Sequence, residues 1–299
     1  MKSNPNSEAS LFDPNSEASY DGIFGLPYTL EESKVVLIPV PWEATTSYGG
    51  GTAKGPGAIL RASYQVDLFD LELGNFFEAG IFMLKESKQV RRWNQKAKLA
   101  AKKKNLKIVN PLSEKINEYT YGETTRLLKQ GKIVGLVGGD HSSPYGTIKA
   151  YAEKYSDLGV LHFDAHADMR RAYQGFTHSH ASIMFNVLTK TNVAKLVQVG
   201  IRDFCEEEMK FIRDHEGRVY TFFDQSLSEK KFSGISWEEI CSEIIQPLPK
   251  QVYISFDIDG LDPAFCPGTG TPVPGGFKFF GSAISYPRRS KIWSKDSGL

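Results

Sequence analysis

The stretch Gly159-Val160-Leu161-His162-Phe163-Asp164-Ala165-His166-Ala167-Asp168 indicates the fold class of this 299-residue chain. A short apolar run is followed at once by polar residues that alternate with alanine. Such a run is typical of a buried strand in a parallel sheet, and ligands gather beyond the carboxyl ends of such strands. The stretch therefore predicts an α/β protein with a functional site at that edge of the sheet.

Two further segments have the same design. Gly138-Gly139-Asp140-His141-Ser142 follows the apolar run 133–137, and Ser255-Phe256-Asp257-Ile258-Asp259 closes the run Val252–Phe256. Other strands are predicted at Val35–Val40, 196–199 and Val219–Phe223. Short buried runs that alternate with helical segments indicate a mostly parallel sheet covered on both faces.

Composition and charge bear on the class of function. The chain is 40% hydrophobic and 24% charged, which is ordinary for a globular protein, and its net charge of +1 favours neither nucleic acid nor an anionic membrane as a partner. No apolar stretch is long enough to span a bilayer, and the polar N-terminus lacks a signal-peptide core. The three cysteines are scattered and show neither a disulfide pattern nor a metal-binding pattern. A reducing compartment is therefore the default, and we predict a cytoplasmic protein.

The pattern divides the chain into three parts. Residues 1–32 form a polar N-terminal extension, in which Pro-Asn-Ser-Glu-Ala-Ser occurs at 5–10 and again at 14–19. Residues 33–279 form the α/β domain, and 280–299 form an atypical C-terminal tail. Within the domain, the basic segment 85–110 is predicted to be a solvated helical face or a surface insertion, because the whole chain is charge-balanced. The Gly-rich loop at 48–52 lacks the spacing of a phosphate-binding loop and is predicted to form the rim of the site.

Four carboxylates and two imidazoles at the three strand ends are potential metal ligands: His141, Asp164, His166, Asp168, Asp257 and Asp259. Within 164–168 and 257–259 the ligands recur at every second residue, so an extended backbone would place them on one face. Burying four carboxylates together is strongly unfavourable unless cations neutralise them. Each motif alone has an ordinary explanation as a turn, a cap or a surface loop, but their occurrence together predicts a metal site.

The ligand types narrow the choice of metal. Without a thiolate cluster, structural zinc is disfavoured. A carboxylate-rich set with some imidazole suits Mn²⁺, and Ni²⁺, Co²⁺ and Fe²⁺ stay open. Two such ions that share carboxylate bridges would activate a water molecule for hydrolysis.

The motifs together resemble the ureohydrolase superfamily, whose members include arginase, agmatinase, formimidoylglutamase and guanidine hydrolase. The matching segments are Gly-Asp-His-Ser at 139–142, Phe-Asp-Ala-His-Ala-Asp at 163–168, Ser-Phe-Asp-Ile-Asp-Gly-Leu-Asp-Pro at 255–263 and Gly-Thr-Pro-Val-Pro-Gly-Gly at 270–276. The resemblance covers roughly residues 33–278, and Pro41-Trp42-Glu43 with the Gly-rich loop looks like the agmatinase-type branch. It implies a three-layer α/β/α arginase-like fold.

The resemblance also implies a cofactor and a reaction. Two Mn²⁺ ions would bind per subunit, with Ni²⁺ as the alternative. One ion would take His141, Asp164, Asp168 and Asp257, and the other would take Asp164, His166, Asp257 and Asp259. A hydroxide between the ions would attack the guanidinium carbon of a small guanidino substrate, and urea and an amine would be released.

Proton transfer and substrate binding are implied in the same way. His180, within a Ser-His-Ala element, would pass a proton to the leaving amine and contact the substrate, and Asp168 completes the catalytic set. Thr271 would approach the guanidinium nitrogens. His178 is the rival for the proton shuttle, and a core or surface role is predicted for His162.

The substrate is less narrowly predicted than the reaction. Arginases follow Arg-Asp with an Asp that holds the α-amino group, whereas Arg202-Asp203-Phe204-Cys205 lacks that carboxylate, which argues against arginase. Agmatine, another guanidino compound, free guanidine and a formimidoylglutamase-type activity stay open. The segment 170–176 is predicted to line the pocket, where its aromatic residues stack on a guanidinium or simply pack. A metal-dependent deacetylase is a weaker alternative, because those enzymes use fewer carboxylates.

The resemblance ends near residue 279. Family members continue with a helix and a strand that carries a substrate-binding Glu, but 280–299 has neither pattern and no Glu follows Glu243. We therefore predict loss of the last helix and strand, an exposed sheet edge, weaker stability and impaired turnover. The alternative of another class is a metal-binding family member without turnover. Family members are often trimers or hexamers, so a homo-oligomer is a further expectation.

Overall fold

The computed structural model describes residues 12–14, 16–18 and 20–278. The repeated hexapeptide falls largely outside these residues, and the tail at 280–299 lies wholly outside them. The chain forms two compact units: the first is Met1–Thr45 with Gly50–Thr147, and the second is Thr46–Gly49 with Ile148–Leu299.

The first unit contains a parallel sheet of three strands. These are β1 (Val35–Val40), β2 (Ile81–Met83) and β3 (Ile133–Gly138), in the order β2-β1-β3. Helix α1 (Gly55–Ala62) begins with Pro56 in its first turn, where the missing N–H has no helical partner to lose. The strands at β1 and β3 confirm the predicted runs.

Two longer helices, α2 (Lys88–Lys102) and α3 (Leu106–Lys129), complete the first unit. Helix α2 carries the basic segment, as predicted, and it buries Val90, Ala97 and Ala100 while most of its lysines face solvent. Local spacing in the sequence predicts a helix from Ser113 to Lys129 with Ser113 as its cap, but α3 begins at Leu106, so that predicted cap is wrong. The buried stripe extends upstream through Val109 and Leu112, and the Ser113 hydroxyl donates within the helix to the Val109 carbonyl at 3.2 Å.

The N-terminal segment also takes part in the first unit. Ile23 and Leu26 are fully buried and pack in a cluster with Leu68, Phe77 and Ile81. The packed structure therefore starts before residue 33, where the sequence pattern places the domain boundary. Apolar Ile23 and Leu26 were too few to produce a periodic signal.

The second unit contains a parallel sheet of four strands. These are β4 (Gly159–Phe163), β5 (Lys195–Ile201), β6 (Val219–Phe223) and β7 (Val252–Phe256), in the order β6-β5-β4-β7. Helix α4 (Tyr145–Lys154) spans the boundary between the units along the chain, and it is followed by α5 (Ile183–Lys190), α6 (Glu206–Asp214), α7 (Asp224–Phe232) and α8 (Trp237–Ile245). Every strand pairing in the described sheets is parallel, as predicted.

The core of the second unit lies on β4 and β5, which are buried along their length. One face of these strands packs against α7 and α8, with a cluster that includes Leu161, Val197, Leu227, Ile240 and Ile244. Because both central strands are inaccessible to water, their sequences are continuously apolar except where a polar side chain has an internal partner.

Strand β7 differs from β4 and β5. In the described residues it pairs on one side only, with β4, and Ile254 and Phe256 are 52% and 44% exposed. An apolar strand of a parallel sheet is normally covered, so this edge is an open, apolar surface.

None of the helices in the described part of the chain combines the length and apolar character that crossing a lipid bilayer would require.

Candidate active site

The ends of β4 and β7 bring acidic residues from distant parts of the second unit together. Asp164 follows β4 directly, and Asp257 follows β7 directly. The Asp257 backbone N–H donates to the Phe163 carbonyl at 2.9 Å, which extends the ladder between the strands by one residue. A short 3-10 turn, Ile258–Gly260, then carries Asp259 back toward Asp164.

Asp164, His166 and Asp259 form the first group of potential metal ligands, and their ligand atoms lie within 4.8 Å of one another. His166 Nδ1 lies 3.3 Å from Asp164 Oδ1 and 3.2 Å from Asp259 Oδ2. The second Asp259 oxygen accepts the Ala165 N–H at 3.1 Å, and Thr271 Oγ1 donates to Asp259 Oδ2 at 3.3 Å.

The electrostatics of this group point to a missing positive charge. Burial, together with the charges of Asp164 and Asp257, raises the pKa of Asp259 to about 7. Burial alone would lower the pKa of His166, but hydrogen bonds and charge from Asp164 and Asp259 outweigh it and raise that pKa to about 11. Without a metal ion, the two carboxylates therefore favour the protonated form of His166. The oxygen and imidazole donors fit a divalent cation such as Mn²⁺, which would supply that positive charge instead.

Asp168 belongs to a second group, in which its carboxylate lies within 4.8 Å of ligand atoms of Asp164 and His162. Its backbone has a φ of 54°, in the left-handed region that Asp tolerates better than most residues. The Asp168 carbonyl accepts the N–H groups of Met184 and Phe185 at 3.0 and 3.3 Å, at the start of α5. This bend ends the extended segment and turns the Asp168 side chain inward, where it is 4% exposed.

The other two predicted ligands are placed less directly. His141 is buried and follows β3 in the first unit, where the adjacent Asp140 accepts hydrogen bonds from Thr45 and Ser142. Asp257 belongs to neither group of described residues, although its Oδ1 accepts the Asp259 N–H at 3.2 Å and its charge acts on Asp259. The metal-binding roles of all six predicted ligands stay predictions.

A cavity opens beside these groups in the second unit. It is lined by Ser47, His166, Asp168, Arg170, Tyr173, His180, Ala181, Asp203, Glu208 and Thr271. The Arg170 guanidinium lies 5.2 Å from the centroid of the Tyr173 ring, and the rings of Tyr173 and His180 meet edge to face with their centroids 5.8 Å apart. Part of the segment 170–176 thus lines the cavity, as predicted.

The two candidate proton shuttles occupy different environments. His180 faces the cavity, with its Nε2 3.4 Å from Ser47 Oγ. His178 is buried, and its Nε2 lies 3.4 Å from Lys190 Nζ instead. Only His180 of this pair can reach a molecule bound beside His166 and Asp168.

The chain is similar to known proteins along most of its length. The family model described as "Arginase: Arginase family" matches residues 33–283. This chain belongs to the arginase family. It is 35% identical over 254 residues to the N(1)-aminopropylagmatine ureohydrolase of Thermus thermophilus, covering 85% of this chain and 76% of the relative. It is 29% identical over 258 residues to the agmatinase of Bacillus anthracis, covering 83% and 75%.

The same fold appears in a solved structure, the agmatine ureohydrolase of Thermoplasma volcanium. The TM-score is 0.69 at 24% identity, with 88% of this chain and 80% of the other covered. The chain therefore has the arginase-like α/β fold. Its family match and the two relatives named above place it in the agmatinase-like branch of the ureohydrolase superfamily.

Sequence reasoning missed Arg202 as an organiser of this arginase-family site. Its guanidinium donates to the Asp259 and Val273 carbonyls at 2.7 and 3.0 Å and also contacts the carbonyls of Gly200, Gly260 and Leu261. Gly276 must be small here, because its φ is 99° and a Cβ on it would lie 2.6 Å from the Gly260 carbonyl oxygen and 2.8 Å from Arg202 Nη2. Arg202 thus joins the turn that carries Asp259 to the segment that carries Thr271.

Glu208 was also missed. This buried carboxylate accepts the Met169 N–H at 3.0 Å and the Cys205 N–H at 2.9 Å, and Arg170 Nε lies 3.7 Å away. It ties the segment after Asp168 to the N-terminus of α6. A Glu at the third position of a helix was the only local signal, and that pattern usually indicates a capping box alone.

Proposed function

We propose that this chain is a hydrolase of guanidino compounds that uses two divalent metal ions, Mn²⁺ or else Ni²⁺, and releases urea and an amine. The observation that carries the proposal is the group Asp164, His166 and Asp259, which adjoins a cavity that also contains His180. Membership of the arginase family supports the reaction type.

In this proposal one ion is held by His141, Asp164, Asp168 and Asp257, and the other by Asp164, His166, Asp257 and Asp259. When bound, such a pair supplies Lewis acidity and a water of lowered pKa. His166 and Asp168, which line the cavity, and Asp164 beside them would supply the negative charge and the neutral imidazole nitrogen that hold the ions.

The residues of the cavity supply positioning and proton transfer. His180 donates a proton from its ring to the departing amine nitrogen, and Ser47 beside it holds the ring's orientation. Thr271 Oγ1 accepts from a guanidinium N–H of the substrate while its own hydroxyl proton stays donated to Asp259. Arg170 and Tyr173 form the wall that excludes water from the substrate's chain.

For the substrate we propose agmatine or a closely related polyamine-type guanidine. The relatives named above include an N(1)-aminopropylagmatine ureohydrolase and an agmatinase. Asp203 supports this choice, because its carboxylate lines the cavity and is 61% exposed, where it would attract a cationic tail. Guanidine and a formimidoyl substrate are the alternatives. A cytoplasmic location and a homo-oligomeric state stay predictions.

A second candidate is a metal-binding family member with impaired turnover. The observation that favours it is the open apolar edge at β7, since Asp257 and Asp259 directly follow this strand. If the strand is loosely held, both carboxylates lose their register with Asp164.

One experiment separates these candidates. The full chain is loaded with Mn²⁺ or Ni²⁺, its metal content is measured, and urea release is followed with agmatine, N(1)-aminopropylagmatine, arginine and guanidine. We expect about two metal ions per chain and urea release that is fastest with an amine-tailed substrate. Metal binding without urea from any substrate would support the impaired member, and loss of metal binding would overturn both. Asp259→Asn serves as the ligand-deficient control.

A further inference from the structure

A row of polar side chains crosses the sheet of the second unit. Thr221 on β6, Gln198 on β5 and His162 on β4 are register partners, so they lie side by side across three adjacent strands. His162 and Gln198 are both 0% exposed, and the flanking strand residues are apolar. We name Thr221, Gln198 and His162 the transverse row. Buried polar groups in such a place require internal partners.

The hydrogen bonds along the row run in one direction. Thr221 Oγ1 donates to Gln198 Oε1 at 3.0 Å, and Gln198 Nε2 donates to the Ala167 carbonyl at 2.8 Å. Because the Ala167 carbonyl can only accept, Nε2 must face it, and the Thr221 hydroxyl supports the same amide orientation by donating to Oε1; the two bonds together set which end of the Gln198 amide carries hydrogen. The same Nε2 lies 3.0 Å from His162 Nδ1, which must therefore accept.

The tautomer of His162 follows from this order. With Nδ1 as an acceptor, the ring proton is on Nε2, which donates to Asp164 Oδ2 at 2.9 Å. The other oxygen, Asp164 Oδ1, accepts the His166 backbone N–H at 2.7 Å. Both oxygens of this carboxylate are thus held by donors that approach from the protein side.

We propose that the transverse row is a positioning device that fixes the Nε2–H form of His162 and so orients the Asp164 carboxylate before metal binds. His162 is then a positioning residue and not a ligand, since its Nδ1 is occupied by Gln198 and its Nε2 by Asp164. The proposal rests on the proposed function only in taking Asp164 as a metal ligand.

The row also acts on the backbone of the strand end. Ala167, whose carbonyl accepts from Gln198, lies between His166 and Asp168 in the chain. The Gln198 amide therefore restrains the backbone between His166 and Asp168, and it also fixes the tautomer of His162, which contacts Asp164. Residues behind metal ligands typically alter metal affinity about 10- to 100-fold when they are removed.

The first test reads the tautomer directly in the metal-free full-length chain. Long-range ¹H–¹⁵N correlation spectra of the histidine rings distinguish Nε2–H from Nδ1–H, and His162→Gln identifies which signals belong to His162. We expect the Nε2–H form in the native chain. In Thr221→Val, which removes only the donor to Gln198 Oε1, we expect a mixture of forms. An Nδ1–H ring or an imidazolium in the native chain would overturn the proposal.

The second test measures Mn²⁺ affinity by titration calorimetry and the electron paramagnetic resonance of free Mn²⁺. His162→Leu removes the donor to Asp164 and should weaken binding about 10- to 100-fold. His162→Gln can place an amide N–H near the position of Nε2 and should retain most of the affinity. Thr221→Val should lie between the native chain and His162→Leu.

The matched control is Thr124→Val in the first unit, which breaks the buried hydroxyl pair Thr124–Thr147 without touching the row. It should lower stability but leave Mn²⁺ affinity unchanged. Equal loss of affinity in His162→Leu and His162→Gln, or native affinity in both, would refute the positioning role. If His162→Leu does not fold, the Mn²⁺ affinity of Thr221→Val and the histidine ring spectra test the positioning role instead. A native chain that binds Mn²⁺ with these dependences but releases no urea would contradict the proposed function alone.

Discussion

His178 and His180 show how much two residues of separation matter at the scale of the single side chain. The 3-10 turn His180–Ser182 rotates the backbone after Ser179, so that one ring enters the cavity and the other points to Lys190. Motif matching could only favour His180 over His178 as the proton shuttle. The proton-transfer role of His180 now has a geometric argument, because an acid must be within reach of the leaving group.

Substitution of the two histidines tests this assignment. His180→Asn should lower kcat about 100-fold or more, because general acid catalysis typically contributes 10²–10⁴-fold. His178→Asn should leave kcat within a few-fold of native and act on stability. The measurement is steady-state urea release on the Mn²⁺-loaded chain, with metal content determined for each variant. Comparable loss of kcat in both variants would contradict the assignment.

The role of Arg202 depends on the planar shape of its guanidinium. A guanidinium presents several N–H groups in one plane, and here they meet carbonyls on both sides of the Asp259 turn. A lysine has a single ammonium at that position and cannot satisfy them together. Buried carbonyls left without donors are destabilising.

We therefore predict that Arg202→Lys lowers the free energy of unfolding by about 1–3 kcal/mol and weakens Mn²⁺ binding. Arg218→Lys is the matched control, because Arg218 contacts a single carbonyl, that of Val193, away from the cavity. Denaturant unfolding and Mn²⁺ titration check both variants. Unchanged metal affinity in Arg202→Lys would show that the arginine is only structural.

At the scale of the element, Glu43 holds the Gly-rich loop of the first unit in place. Its carboxylate accepts the N–H groups of Gly51 and Ala53 at 2.6 and 2.9 Å and pairs with Lys98 from α2. Burial alone would raise the pKa of Glu43, but the bonds from Lys98, Ala53 and Gly51 outweigh it and hold that pKa below its usual value. A single side chain thus joins β1, the loop and α2.

This pKa shift predicts a pH dependence. A depressed carboxyl pKa contributes stability above the unfolded pKa, and the contribution is lost as pH falls through the folded pKa. Glu43→Gln should therefore be less stable than the native chain by about 1.5–3 kcal/mol at pH 7, with a difference that narrows below about pH 4.5. Fluorescence of the buried Trp42 during urea unfolding is the readout.

Glu123→Gln is the control for that experiment, because Glu123 pairs with Arg126 on the exposed side of α3. Exposed pairs of this kind contribute about 0–1 kcal/mol. A pH-independent difference between Glu43→Gln and the native chain would contradict the argument.

At the scale of the whole molecule, the edge of β7 bears on association between chains in solution. Ile254 and Phe256 present apolar surface beside backbone groups that lack a second strand in the described sheet. Such edges promote pairing with another chain unless they are covered or carry charge. This is a different mode of association from the ordered trimer or hexamer that the family resemblance implies.

We predict that Ile254→Lys reduces concentration-dependent self-association, because a lysine on an edge strand disfavours edge-to-edge pairing. Phe232→Lys is the control: Phe232 is 91% exposed at the end of α7, away from any strand edge. Sedimentation velocity over a range of concentrations makes the comparison. An equal reduction in both variants would indicate general surface hydrophobicity, and no reduction in Ile254→Lys would contradict the prediction.

The local pattern of the chain was sufficient for the strands, the parallel α/β class and the positions where Asp164, His166 and Asp259 would meet. This is because short apolar runs and the polar residues that follow them are properties of neighbouring residues, and parallel topology brings strand ends to one edge. The predicted start of α3 at Ser113 was wrong, because a serine that caps a helix and a serine inside a helix can have the same local sequence.

Only the tertiary structure placed His180 on the cavity and His178 beside Lys190, and only it showed the partners of Arg202, Glu208 and His162. Each acts through partners 30 or more residues distant, as in the Arg202 contact with Asp259 and the Gln198 contact with His162, or through a turn that rotates one side chain. A buried histidine within an apolar strand looks the same in sequence whether it fills space or orients a carboxylate. The difference lies in hydrogen-bond direction, which exists only once the strands are side by side.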